Sequence, residues 1–138
     1  WTDLTGSGDS VTRKKDRDPL ISPELLEVFA NKYAGKEDLK NPLISPLYGD
    51  FTSFPPTLIQ VGTEEVLLDD STRLTKKMKA AGVLVEMEIW EGMMHVFQWM
   101  AGLIPEANDS IKQIGAFINR QYDAEEPKEK SKFHKELY

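Results

Sequence analysis

Two short runs rich in β-forming residues stand on either side of a helix-patterned segment, and together they constrain the fold more than any other feature. "PTLIQVG", residues 56–62, is a short apolar run between proline and glycine, which reads as a buried strand. "VLVEMEIW", residues 83–90, alternates: Val83, Val85, Met87 and Ile89 line one face, Leu84, Glu86, Glu88 and Trp90 the other. That pattern marks a half-exposed strand at a sheet edge. Between the two, "STRLTKKMKAAG" puts Leu74, Met78 and Ala81 on one helical face, with Gly82 as the stop. Strand, helix and strand within about 35 residues form a βαβ unit, which implies a parallel sheet and the α/β class.

The flanking segments read less sharply. Residues 1–20, rich in Thr, Ser, Gly, Asp and Lys, read as surface loop. "SPELLEVFANKYAG" then gives a helix with Ser22 as N-cap, Pro23 at the first helical position and Gly35 at the end. Leu25, Leu26, Phe29 and Tyr33 are its expected buried stripe. The pentapeptide Pro-Leu-Ile-Ser-Pro occurs at 19–23 and again at 42–46, in different contexts, so it marks two rigid turns and not a repeat architecture. Pro105 opens a last helix, with Ile111, Ile114, Phe117, Ile118 and Tyr122 expected to face the core. Residues 123–138 carry nine charges in sixteen positions and read as a solvated or frayed tail, with His134 inside it and outside any chemistry.

Composition closes off several function classes. The 138 residues suffice for one domain with one sizeable core. A net charge of −6 argues against a nucleic-acid groove, which needs clustered Lys and Arg. The basic clusters Arg13-Lys14-Lys15 and Lys76-Lys77 have acids close by and read as solvated faces. There is no cysteine, which excludes thiolate metal sites and a cysteine nucleophile and suits a reducing, cytoplasmic setting. No apolar run approaches the ~20 residues of a membrane span. The opening "WTDLTGSGDS" has no initiator Met and no preceding element, so the chain is expected to be a portion of something longer.

In open α/β sheets, functional groups collect just past the carboxyl ends of the strands. The loop after Gly62 offers Glu64, Glu65, Asp69 and Asp70, and the loop after Trp90 offers His95, one of two histidines in the chain. In adjacent parallel strands these loops are neighbours, so a carboxylate and an imidazole can meet. A carboxylate on one ring nitrogen fixes the tautomer and frees the other nitrogen to take a proton. Structural readings stand beside this one. Asp69, Asp70 and Ser71 can cap the helix and favour its dipole, the preferred reading for Asp70 and Ser71. His95, set among Met and Phe, can equally be a core histidine.

At these residues the chain resembles the C-terminal part of a carboxylesterase of the hormone-sensitive-lipase family, within the α/β-hydrolase superfamily. The similarity runs from about residue 1 to 120 and is most specific over "SPLYGDFTSFPPTLIQVGTEEVLLDDSTRLTKKMKAAGVLVEMEIWEGMMHVF". The family's acid lies in an Asp-Pro-Leu-x-Asp pattern, and its histidine in His-Gly-Phe or His-x-Phe. Glu65-Val66-Leu67-Leu68-Asp69 places Glu65 at the acid position, with Asp69 a rival, and His95-Val96-Phe97 supplies the base. The departures are Glu for Asp and Val for Pro. The resemblance implies a small acyl-ester substrate, no cofactor and no metal, with Met94, Phe97 and Trp99 as candidates for an apolar substrate pocket.

Two of the family's motifs are missing. Its nucleophile sits in Gly-x-Ser-x-Gly and its oxyanion hole in a His-Gly-Gly motif. "GSGDS", at 6–10, has the wrong spacing and no preceding strand. The expectation is therefore a C-terminal portion, residues 1–122, of an α/β-hydrolase domain: a loop and helix region over 1–50, then the last two strands and their helices over 51–122. It would hold acid and base, with the serine on a missing N-terminal half. Amide cleavage by the same machinery, a ligand-binding homologue and an inactive fragment are the rival readings. Open strand edges, together with the family's habit of dimerising through its last strand, lead to the expectation of a homo-oligomer.

Overall fold

A computed structural model of the chain describes residues 1–125. In order, these form α1 (Asp9–Arg13), α2 (Pro23–Ala34), a 3-10 turn (Pro46–Tyr48), β1 (Thr57–Gly62), α3 (Leu68–Ala80), β2 (Val85–Trp90), a second 3-10 turn (Phe97–Met100) and α4 (Pro105–Glu125). β1 and β2 pair in parallel, in a register running from Thr57 opposite Val85 to Gly62 opposite Trp90. Both strands therefore end level, and the loops that follow them leave side by side. Among the described residues, each strand pairs only with the other.

While β2 stays partly exposed, helices pack on both faces of the sheet. On one, Phe51, Met78 and Val83 form a buried cluster with Ile59, Leu74 and Val85, which seats α3 across the strands. On the other lies the start of α4, where Ala107 and Ser110 are fully buried and the Ser110 carbonyl accepts from Gln60 Nε2 at 3.0 Å. A second cluster, Val11, Leu26, Val66 and Leu67 with Ile21 beside it, joins α1 and α2 to the loop after β1. No helix among the described residues is long and apolar enough to cross a membrane.

Local signals set the ends of α2 correctly. Ser22 Oγ accepts from Leu25 N at 3.2 Å, Pro23 takes the first position of α2, and Gly35 closes the helix at a φ of 61°. The buried line on α2 differs from the expected stripe. Leu26, Ala30 and Ala34 face inward, while Phe29 and Tyr33 are 51% and 71% exposed. The same holds on α4, where Ile111, Ile118 and Tyr122 are largely exposed. Periodicity identifies residues that share a face, but a face is buried only if something covers it.

Three further expectations need correction. Residues 1–20 are not simply surface loop: they contain α1, and Asp3, Ser10 and Asp18 are buried because each finds hydrogen-bond partners far along the chain. α3 begins a turn earlier than expected, at Leu68, with Leu67 at its N-cap and no side-chain cap. Asp70 and Ser71 thus do not cap it, and Ala81 is exposed past its end. α4 continues through Glu125, past the point where fraying was expected. The rest of the charged tail, with His134, lies outside the described residues.

Candidate active site

The level strand ends put residues 63–70 and 91–96 against each other. Thr63 N donates to the Trp90 carbonyl at 2.9 Å, and Glu64 N to the Met93 carbonyl at 3.1 Å. Across this seam His95 Nδ1 lies 2.9 Å from Glu65 Oε2. The other carboxylate oxygen, Oε1, accepts from Gly62 N at 2.7 Å. Glu65 is 5% exposed, and the His95 side chain is 28% exposed. An ionised carboxylate only accepts, so Nδ1 carries the proton in this arrangement and Nε2 keeps its lone pair free. An imidazole held in this way can accept a proton at Nε2.

The neighbouring acids are engaged elsewhere. Asp69 Oδ2 accepts from Ser10 N at 2.9 Å, and its Oδ1 lies 3.6 Å from Arg13. Glu64 is held by Arg17 at 2.6 Å, and that hydrogen bond, with the nearby Lys14 charge, keeps its carboxyl below the ordinary value. Asp70 points inward, and its Oδ2 takes the backbone N–H groups of Thr2 and Asp3, each at 2.8 Å. Burial nonetheless pushes Asp70 up, since these two bonds offset only part of the lost hydration and Oδ1 has no partner.

A cavity of about 170 Å³ opens beside the pair, lined by Glu65, His95, Val96, Gln60, Gln98 and Trp1 among others. The three residues expected to line a substrate pocket are not part of it. Phe97 is fully buried and packs on Trp90 with ring centroids 5.6 Å apart, a core role. Trp99 is 70% exposed on the 3-10 turn, and Met94 is half-buried next to His95 in the loop after β2. A larger apolar groove of about 580 Å³ starts at Trp1 and runs past Leu4, Phe29, Tyr33 and Leu43.

Sequence reasoning passed over the braces of the loop after β1. Asp18 Oδ2 accepts from Val66 N at 3.1 Å, and Ser10 Oγ donates to the Val66 carbonyl at 2.7 Å, both next to Glu65. Nothing local announces partners this distant. A signal did exist for Val96, which stands where the resembling family often has glycine. Its φ is 51°, a left-handed conformation that a β-branched side chain adopts only under strain. Val96→Gly is expected to stabilise the fold by about 1 kcal/mol, the relieved strain exceeding the extra entropy of glycine in the unfolded chain. Thermal unfolding should show a rise in Tm of a few degrees. An unchanged or lower Tm would mean that the valine contacts outweigh the strain.

With this geometry in place, the likeness to known proteins is specific. Residues 1–99 match a family model described as the alpha/beta hydrolase fold. An acetyl-hydrolase of Streptomyces hygroscopicus is 42% identical over 118 residues, covering 86% of this chain and 40% of that protein. An esterase of Acinetobacter venetianus is 36% identical over 119 residues, covering 85% and 39%. A solved hormone-sensitive lipase from a metagenome library superposes with a TM-score of 0.84 at 47% identity, over 87% of this chain and 41% of that one. The chain thus spans about two-fifths of the length of these relatives. It belongs to the alpha/beta hydrolase fold family, in which it matches part of a hormone-sensitive-lipase-type hydrolase.

Proposed function

We propose that these residues supply the base and the acid of a serine-nucleophile triad that hydrolyses carboxylic esters of small acyl groups. The serine would come from a segment outside this sequence. The observation that carries the reading is the 2.9 Å contact between His95 Nδ1 and Glu65 Oε2, at the level ends of two parallel strands. In the proposed reaction His95 Nε2 takes the hydroxyl proton as the serine oxygen attacks the ester carbonyl. It then returns that proton to the departing alcohol oxygen. Water repeats the sequence on the acyl-enzyme. Glu65 holds the ring and stabilises its imidazolium. This chemistry calls for no metal or organic cofactor.

The apolar groove starting at Trp1, which also lines the cavity beside His95, supports an apolar acyl or alcohol group as substrate. The lack of cysteine supports a reducing, cytoplasmic setting. The edge of β1 that has no strand partner among the described residues is a seat where a strand from the nucleophile-bearing segment would add, and self-association through the open edges is the competing use of the same surface.

Turnover of a short p-nitrophenyl ester tests the reading. The purified 138-residue chain is expected to stay at background, and mixing with a nucleophile-bearing segment should restore hydrolysis. Ordinary esterase rates from the chain alone, surviving repurification, would instead place the nucleophile among these residues. Ser71 would then be the first to replace, since it lines the cavity with His95, whereas the Ser7 and Ser10 hydroxyls are tied to Asp3 and Val66.

A further inference from the structure

The acid and base loops meet at one residue that has no side chain. Gly62 is the last residue of β1, and an added Cβ there would overlap the Met93 carbonyl oxygen. Its φ is not among the positive values, so the demand for glycine is one of space and not of backbone conformation. The same Met93 carbonyl accepts from Glu64 N at 3.1 Å, which docks the base loop against the first turn of the acid loop. Thr63 completes the seam: its Oγ1 accepts from Gly92 N at 2.8 Å. Gly62 N also donates to Glu65 Oε1, the carboxylate oxygen that the imidazole leaves unused.

Glu65 is therefore anchored at one oxygen to the end of β1 and presents the other to His95. Met93, two residues before His95, sits in the space that the missing Cβ leaves. A side chain at position 62 must push the Met93 carbonyl outward, and His95 moves with it. A shift of about 1 Å is enough to break a hydrogen bond of this length.

We propose that Gly62, with Thr63, is the positioning element of the pair: it orients the Glu65 carboxylate and sets how closely the His95 loop approaches. This rests on reading Glu65 and His95 as an acid–base pair. It adds that the pair's geometry is fixed from the β1 end of the seam and is not an independent property of the two side chains.

The tautomer of His95 in the 138-residue chain tests this without any need for catalysis. Two-bond proton–nitrogen correlation spectra of 15N-histidine-labelled protein, at a pH where imidazole is neutral, distinguish Nδ1–H from Nε2–H. The His95 signals are assigned by their loss in His95→Gln. Wild type is expected to show Nδ1–H, the reverse of the preference of free histidine. Gly62→Ala should lose that signature and revert to Nε2–H while keeping its helical circular dichroism. Thr63→Val, which keeps the shape but removes the acceptor, should lose part of it, and Thr63→Ser should restore it. Retention of Nδ1–H in folded Gly62→Ala overturns the proposal. If that variant does not fold, Thr63→Val carries the test, and full retention there overturns it. Failure of wild type itself to show Nδ1–H would instead refute the underlying pair.

Discussion

Replacing His95 by alanine is expected to lower ester turnover by about four to six orders of magnitude in a polypeptide that joins these residues to the nucleophile-bearing segment. KM should change little, because the base acts on a proton that moves only in the transition state. Glu65→Gln should fall by roughly 10³–10⁴-fold, a smaller but still severe loss. The reason is visible in the contacts. Two donors converge on Glu65, the Gly62 N–H and the Nδ1 proton of His95, and the carboxylate has an oxygen for each. An amide has one oxygen. If it serves Gly62, the NH₂ faces the imidazole and donates to Nδ1, which forces the proton onto Nε2. That tautomer has no lone pair for the serine proton. Steady-state kinetics on wild type and the two variants decide the matter, and equal activity of wild type and His95→Ala would end the triad reading.

Much of this geometry was legible before any coordinates, for identifiable reasons. β1, β2 and the helix between them announce themselves because strand alternation and helical periodicity are local properties. Their parallel pairing follows from the helical crossover between them. That topology, with the family resemblance, brings Glu65 and His95 into adjacent loops. In the structure Glu65 stands against the imidazole, while Asp69 is occupied by Ser10. What stayed hidden depends on distant partners. Asp70 looks like a helix cap in sequence, but its Oδ2 serves backbone donors 67 and 68 residues away. Ser10 and Asp18 look like loop polarity, yet they brace Val66. The exposure of Phe29, Tyr33 and Ile118 was illegible for a different reason: a helical wheel records neighbours on one face and carries no information about what lies opposite.

The largest stability effect is expected at Asp3, a residue that sequence reading assigned to a surface loop. Its carboxylate is fully buried. Oδ1 accepts from Thr5 N at 3.1 Å, Thr5 Oγ1 at 2.5 Å and Tyr48 OH at 3.2 Å. Oδ2 accepts from Ser7 Oγ at 2.6 Å and Arg73 at 2.8 Å. Burial alone would raise its pKa, but the donors from Ser7, Thr5 and Arg73 outweigh it and bring the group from 3.8 to about 2. At neutral pH, Asp3→Asn leaves Arg73 without its counter-ion and one carboxylate oxygen without a replacement acceptor. It should cost on the order of 2–4 kcal/mol, tempered by the partial exposure of Arg73.

The pH dependence has a definite sign. Between about pH 4 and pH 2 the unfolded chain holds a proton on Asp3 that the folded chain does not. The stabilisation is therefore complete above the unfolded value and disappears as pH falls through the folded one, a loss of about 2 kcal/mol. Asp70, raised by burial, works in the opposite direction and flattens the acid limb of wild type. The informative quantity is thus the difference between wild type and Asp3→Asn in denaturant unfolding, which removes the burial-driven part of the Asp70 contribution and keeps only the part that the Asp3 charge causes. That difference should shrink steadily from about pH 4 to pH 2. A difference that stays constant across this range would mean that the donors around Asp3 do not favour its ionised form. The Trp1–Thr2 wall of the cavity beside His95 would then owe its position to Asp70 and to the Leu4–Ser45 and Leu47–Thr2 bonds instead.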